Sequence, residues 1–304
     1  VPGIQKVYFS PDGVYSKVNL SMLFNPHSGK FLMDEQEIHL VTSTQDILKE
    51  KRAENPFKDM VMLGDPIYNL DGGDSMMLAS NEDRSTNKAE EKIALISRLP
   101  GTRREVEAIK KTMETNGFDV NLKTGIEATE DVIKGIKSPK ILHIATHGFF
   151  SNDLFLHKDS PSKDNPLFLS GLLLAGSENY FADQGVRTGQ NSEDGVLTAF
   201  EAMNLSLENT DLVVLSACET GVGDIKNGEG VYGLQRAFQV AGAKSVILSL
   251  WKVNDVATKE LMTIFYDEWV KTQDKRKAFI SAQQQMRTLY PHPYYWGAFV
   301  MVGE

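Results

Sequence analysis

The sequence contains a single cysteine, Cys218, in 304 residues. One thiol excludes an internal disulfide framework and a zinc ribbon, and it fits a reducing compartment such as the cytoplasm. No apolar run reaches the roughly 18 residues that a membrane-crossing helix needs, so no membrane partner is expected. Basic charge is also scarce: 32 Lys and Arg face 41 Asp and Glu, a formal net charge of −9. Phosphate contacts demand clustered Lys and Arg, so direct nucleic-acid binding is not expected. Gly221, Gly223, Gly228 and Gly230 are followed by no Gly-Lys-Ser/Thr ending, which removes a nucleotide phosphate loop. His27, His39, His157 and His292 have no partners at metal-ligand spacing. Neither a metal nor any other cofactor is expected. No basic segment followed by an apolar one, as in a signal peptide, opens the chain at Val1.

What is present begins with a composition of 41% hydrophobic and 24% charged residues, that of a globular protein. The length suits one large or two small domains. The stretch from Asp211 to Gly223 organises the rest. Leu212 to Leu215 are apolar without a break, as in a strand buried on both faces of a parallel sheet. The run stops at Ser216-Ala217-Cys218, and glycines follow. Cys218 therefore ends a buried strand, where open α/β sheets place their ligands. Ile141 to Thr146 repeats the design and ends at His147-Gly148. If the two strands are parallel neighbours, His147 and Cys218 meet at one sheet edge as base and nucleophile.

A lone cysteine is commonly a small buried hydrophobe, and a strand-end histidine can simply cap a carbonyl. The pairing of the two tips favours chemistry. An imidazole can take the thiol proton, and the backbone N–H groups of Cys218 and Gly148 are candidates for holding a tetrahedral oxyanion. His143, with the parity of His147 but deeper in the strand, reads as a core or supporting histidine.

Elsewhere, strands are expected at Val7–Phe9, near Phe31, at Met60–Leu63, at Asp119–Leu122, at Leu172–Leu174, at Ser245–Leu250 and at Trp296–Val302. Helices are expected at Arg103–Asn116, Thr129–Ile136, Gly228–Gly242, Asp255–Trp269 and Lys277–Leu289, with a helical turn at Val196–Met203. Residues 69–92 read as a linker, and 176–195 as a loop. This alternation makes a parallel sheet covered on both faces.

Four segments carry a family resemblance: His-Ile-Ala-Thr-His-Gly (143–148), Val-Val-Leu-Ser-Ala-Cys-Glu-Thr-Gly (213–221), Asn-Gly-Glu-Gly-Val-Tyr-Gly-Leu-Gln-Arg-Ala-Phe (227–238) and Ser-Leu-Trp-Lys-Val-Asn-Asp (249–255). The chain resembles CHAT-domain cysteine peptidases, relatives of caspases and separase. The resemblance implies a caspase-like three-layer α/β/α fold with a mainly parallel central sheet and a His147–Cys218 dyad for endopeptidase cleavage of a protein or peptide. It further implies a degenerate caspase-like half over residues 1–92, preceding a catalytic half over 93–304. The whole would be one CHAT domain, cut from a longer protein with N-terminal helical repeats. A regulatory partner, or the repeats themselves, would hold activity in check.

Ser249, Leu250 and Trp251 match the caspase segment that pairs with a peptide backbone, and Ser216 lies two residues before the nucleophile. Glu219, Asp224 and Asp255 follow strand tips and are candidates for the substrate side-chain pocket. Asp255 matches an acidic position of the separase-like Leu-Trp-Asp-Val-Thr-Asp pattern, which favours a basic substrate residue. Lys252 replaces the first aspartate of that pattern, leaving an aliphatic preference open, and Asp255 can equally cap the helix it begins. Two rival functions stand beside the peptidase: a non-catalytic protein-binding scaffold, and another thiol-dependent acyl transfer such as amidase chemistry.

Overall fold

The computed structural model describes residues 5–48, 53–70, 98–150, 167–178, 193–217, 229–251 and 254–303. The linker reading over 71–92, most of the 176–195 loop, and Cys218, Glu219, Asp224 and Lys252 lie outside them. In chain order the strands are β1 (Lys6–Phe9), β2 (Phe24–Asn25), β3 (Lys30–Phe31), β4 (Glu37–Leu40), β5 (Asp59–Pro66), β6 (Asp119–Gly125), β7 (Ile141–Thr146), β8 (Gly148–Phe150), β9 (Ser170–Leu173), β10 (Val196–Thr198), β11 (Leu212–Ala217), β12 (Ser245–Ser249) and β13 (Phe299–Gly303). Six helices matter to the site: α1 (Pro100–Thr115), α2 (Glu130–Lys134), α3 (Ala199–Ala202), α4 (Glu229–Val240), α5 (Asp255–Thr272) and α6 (Lys275–Leu289).

Eight strands form one sheet in the order β1-β4-β13-β12-β11-β7-β5-β6. Every described pairing in it is parallel except β12 with β13. The expected boundary at residue 92/93 runs through this sheet: β1, β4 and β5 come from before it, and β5 lies between β7 and β6. β8, β9 and β10 make a smaller antiparallel sheet. There Gly171 has no room for a side chain: a Cβ would stand 2.6 Å from the Leu197 carbonyl oxygen and 2.7 Å from the Phe149 ring.

Alternation sorts the large sheet's side chains onto two faces. Leu142, Ile144, Val213, Leu215, Val246 and Leu248 pack with Leu234, Ala237 and Phe238 of α4. Ile141, Ala145, Leu212, Val214 and Ile247 pack with α1, α5 and α6 through Ile109, Leu261, Phe265 and Met286 among others. The result is the expected α/β/α layering. Every residue of β7 and of β11 is buried, and each large apolar side chain contributes roughly 1.5–3 kcal/mol through that burial. A slip of one residue would turn all of them to the wrong face, so the register is strongly specified. This fixes the level at which β7 and β11 end.

Two local expectations are corrected. The helical turn at 196–203 is β10 followed by α3, because Thr198 and Glu201 form a reciprocal capping box that starts the helix only there. The last strand begins at Phe299 rather than Trp296, since Pro293 opens a short helical turn that buries Trp296 completely.

Candidate functional site

β7 and β11 are parallel neighbours, paired residue for residue from Ile141–Leu212 to Thr146–Ala217. His147 follows the last pair directly and is 7% exposed. It is the single residue between β7 and β8, so one peptide link joins it to each of the two sheets. Leu173 N donates to the His147 carbonyl at 2.9 Å, while Gly148 lies opposite Leu172. In an antiparallel ladder that pattern marks Gly148 as a non-hydrogen-bonded position. Its N–H is turned away from β9.

Tyr68, two residues beyond β5, packs its ring on His147 with centroids 5.4 Å apart and planes inclined by 42°. Its hydroxyl lies 3.0 Å from Thr146 Oγ1, which in turn donates to the Leu173 carbonyl. Asp65, at the end of β5, is buried and holds Arg98 at 2.6 Å and Arg103 at 2.8 Å. Thr102 Oγ1 accepts from the Asp65 N–H at 2.9 Å, so the start of α1 is tied to the tip of β5. The sequence reading missed Tyr68 and Asp65. An aromatic and a carboxylate straight after an apolar strand are the signal that was available.

The other predicted residues are placed as follows. Ser216 is buried, and its hydroxyl has no hydrogen-bond partner among the described residues. Ser249 is also buried, and Oγ donates to the Ala217 carbonyl at 3.0 Å. Its hydroxyl therefore acts on the strand that leads to Cys218. The Leu250 N–H is spent on the Ala298 carbonyl at 2.8 Å. Trp251 is half-buried, with Nε1 donating to the Tyr294 carbonyl at 3.2 Å. Asp255 does not cap α5. That role belongs to Asn254, whose Oδ1 accepts from Val256 N at 2.9 Å because Asn254 keeps the extended backbone of a cap. Asp255 instead lies half-buried against Gly101 in the first turn of α1, where a Cβ would meet the carboxylate at 3.0 Å.

His143 belongs to the core, as expected. Its Nε2 lies 3.0 Å from Glu105 Oε1 and its Nδ1 3.1 Å from the Tyr266 hydroxyl, all three groups being buried. Burial holds the Tyr266 phenol well above its ordinary pKa. This trio ties β7 to α1 and α5 beneath the edge that carries His147.

The carboxylates of Glu130, Glu193 and Glu201 are close enough together to hold a metal ion. Lys134 Nζ already occupies their centre, at 2.7 Å from Glu130, 2.6 Å from Glu193 and 3.2 Å from Glu201. The protein supplies its own cation there. Burial, with the nearby charge of Glu201 behind it, pushes the Glu130 carboxyl up to about 8 against the pull of Lys134. No helix among the described residues is long and apolar enough to cross a membrane.

Comparison with known proteins finds a similar overall fold in solved structures of a cysteine proteinase. The crystal structure of the Arg-specific cysteine proteinase gingipain R aligns with all of this chain and 59% of that one, at a TM-score of 0.51 and 10% identity. The complex of pro- and mature domains of RgpB from Porphyromonas gingivalis gives 0.55 at 10% identity, over 99% of this chain and 64% of that one. At such identity the likeness concerns the fold. In sequence the chain is 27% identical over 194 residues to Tetratricopeptide repeat protein 28 of Homo sapiens, a stretch of 59% of this chain and 8% of that protein. The Mus musculus protein of the same name is 32% identical over 114 residues, 36% of this chain and 4% of the relative. The matched stretches thus span under a tenth of those relatives. The CHAT domain family matches residues 1–304, the whole length, and the chain belongs to that family.

Proposed function

We propose that this chain is a cysteine endopeptidase in which His147 and Cys218 form the catalytic dyad. The observation that carries the proposal is the β7–β11 register, whose last pair is Thr146 with Ala217. The residues following that pair are the base and the nucleophile. In the reaction the imidazole takes the thiol proton, and the sulfur adds to the substrate carbonyl carbon. The negative charge gathers on the carbonyl oxygen, facing the N–H groups of Gly148 and Cys218. The C–N bond then breaks, the imidazolium proton leaves with the amine, and water hydrolyses the thioester. Regulation by a protein partner or by adjoining helical repeats belongs to this reading, and the tetratricopeptide-repeat relatives support it.

A second reading, a non-catalytic protein-binding module, draws on the burial of the His147 side chain. Labelling with a peptidyl acyloxymethyl ketone, read by mass spectrometry, separates the two. The expected result is one adduct on Cys218, lost in Cys218→Ala and His147→Ala while circular dichroism shows both variants folded. Full peptide cleavage by either folded variant would refute the dyad. Absence of labelling and cleavage in the parent chain would leave the binding module.

A further inference from the structure

The backbone of His147 sits in a closed circuit of hydrogen bonds. Thr146 Oγ1 donates to the Leu173 carbonyl, and a hydroxyl has one proton to give. In the 3.0 Å pair between the Tyr68 hydroxyl and Thr146 Oγ1, Tyr68 is therefore the donor. The phenol oxygen remains free to accept, and the backbone N–H of His147 is directed at it. Leu173 N closes the circuit by donating to the His147 carbonyl at 2.9 Å. Burial drives the Tyr68 phenol far above its ordinary pKa, so its proton stays on the oxygen. The tyrosine is itself anchored. Its carbonyl accepts from Glu178 N at 3.0 Å, and the Ile67 carbonyl from Gly176 N at 3.0 Å.

We infer that Tyr68 is a positioning residue for His147, fixing the backbone through its hydroxyl and the imidazole plane through its ring. This inference rests on the dyad reading. It places a residue from before the 92/93 boundary in support of the base. Preorganisation of this kind acts on rate more than on binding, because a misplacement of about 1 Å can cost roughly a hundredfold in catalysis.

The test compares Tyr68→Phe, which keeps the ring, with Thr146→Val and Thr146→Ser in the full chain. Tyr68→Phe and Thr146→Val are each expected to lower kcat about tenfold with KM within about twofold. Both should also displace the acidic limb of the pH–rate profile. Thr146→Ser, which keeps the hydroxyl, should stay within about twofold of the parent. Parental kcat and pH profile in folded Tyr68→Phe would overturn the inference and leave the dyad standing. If Tyr68→Phe does not fold, the Thr146 pair decides: equal kcat in Val and Ser overturns the inference. If the parent chain neither cleaves nor labels, the dyad reading fails first. The imidazole NMR titration of His147 then decides: a shifted midpoint in Tyr68→Phe or Thr146→Val supports positioning, and superimposable curves overturn it.

Discussion

Removing one hydroxyl at Ser249 should separate two kinds of chemistry at the same thiol. The paired register of β11 with β12 ends at Leu215–Leu248. Beyond it, Ser249 Oγ takes the Ala217 carbonyl at 3.0 Å, doing with a side chain what a ladder bond did below. A trans peptide is planar, with C=O and N–H pointing in opposite directions. Ser249 therefore holds the Ala217 carbonyl of the peptide unit that leads into Cys218, the unit whose N–H lies across the C–N bond. On the proposed reading this N–H is an oxyanion donor. Ser249→Ala leaves a buried carbonyl unsatisfied, a loss of about 1–3 kcal/mol of stability. Deleting an oxyanion donor outright costs about 10²–10³ in kcat, so a donor that is only released should cost about tenfold or somewhat more.

The assay runs peptide cleavage beside alkylation by iodoacetamide. Displacement of iodide at a carbon centre builds no oxyanion, so the alkylation rate should stay within about twofold while kcat falls. Ser249→Thr restores the hydroxyl on a residue suited to a strand and should recover cleavage. Unchanged kcat in a folded Ser249→Ala would refute the reasoning. So would a parallel fall of both rates, since that would place the effect on the thiolate.

Two further outcomes are expected. Trp251→Ala should raise the KM for an extended peptide severalfold if the segment after β12 lines the substrate groove, and unchanged steady-state constants would remove Trp251 from it. The raised Glu130 pKa means that the folded state holds a proton the unfolded chain releases at lower pH. Stability from this group is therefore complete below the ordinary carboxyl range and lost as pH rises through about 8. Melting temperature should decline over that window, and Glu130→Gln should flatten the decline. Identical slopes in thermal melts would refute the assignment.

The strands that end at the site were legible because they are mostly apolar, with Leu212–Leu215 unbroken, and the long helices because Val106, Ile109 and Met113, or Leu261 and Phe265, recur at helical spacing. Short elements were not. β10 has three residues, too few for any period to register, and only the Thr198–Glu201 cap marks where α3 begins. The capping alternative open to Asp255 belongs to its neighbour Asn254, because either residue type suits a cap and only the backbone angles distinguish them. Ser249 looked like a groove residue because its position in a matching motif says nothing about the direction of its side chain. The motif located the strand tip correctly, and alternation along the strand decided that the hydroxyl turns into the protein.

Tyr68 was illegible for a different reason: its meaning depends on sheet order. Nothing in a sequence states that β5, ending near residue 66, inserts between β7 and β6. Once it does, Met62 pairs with His143 and Gly64 with Ala145, and the chain leaving β5 must pass the tip of β7. An aromatic side chain two residues further on then meets His147. The same insertion brings Asp65 to the start of α1, where it holds Arg98 and Arg103. The segment before residue 93 is thus built into the sheet on both flanks of the site-bearing strands, through β4 against β13 and β5 against β7. The 92/93 division that the resemblance implies therefore runs between strands of one sheet, with Tyr68 on one side of it and His147, which its ring packs on, on the other: motifs mark where chemistry is supplied, and the sheet decides what lies beside it.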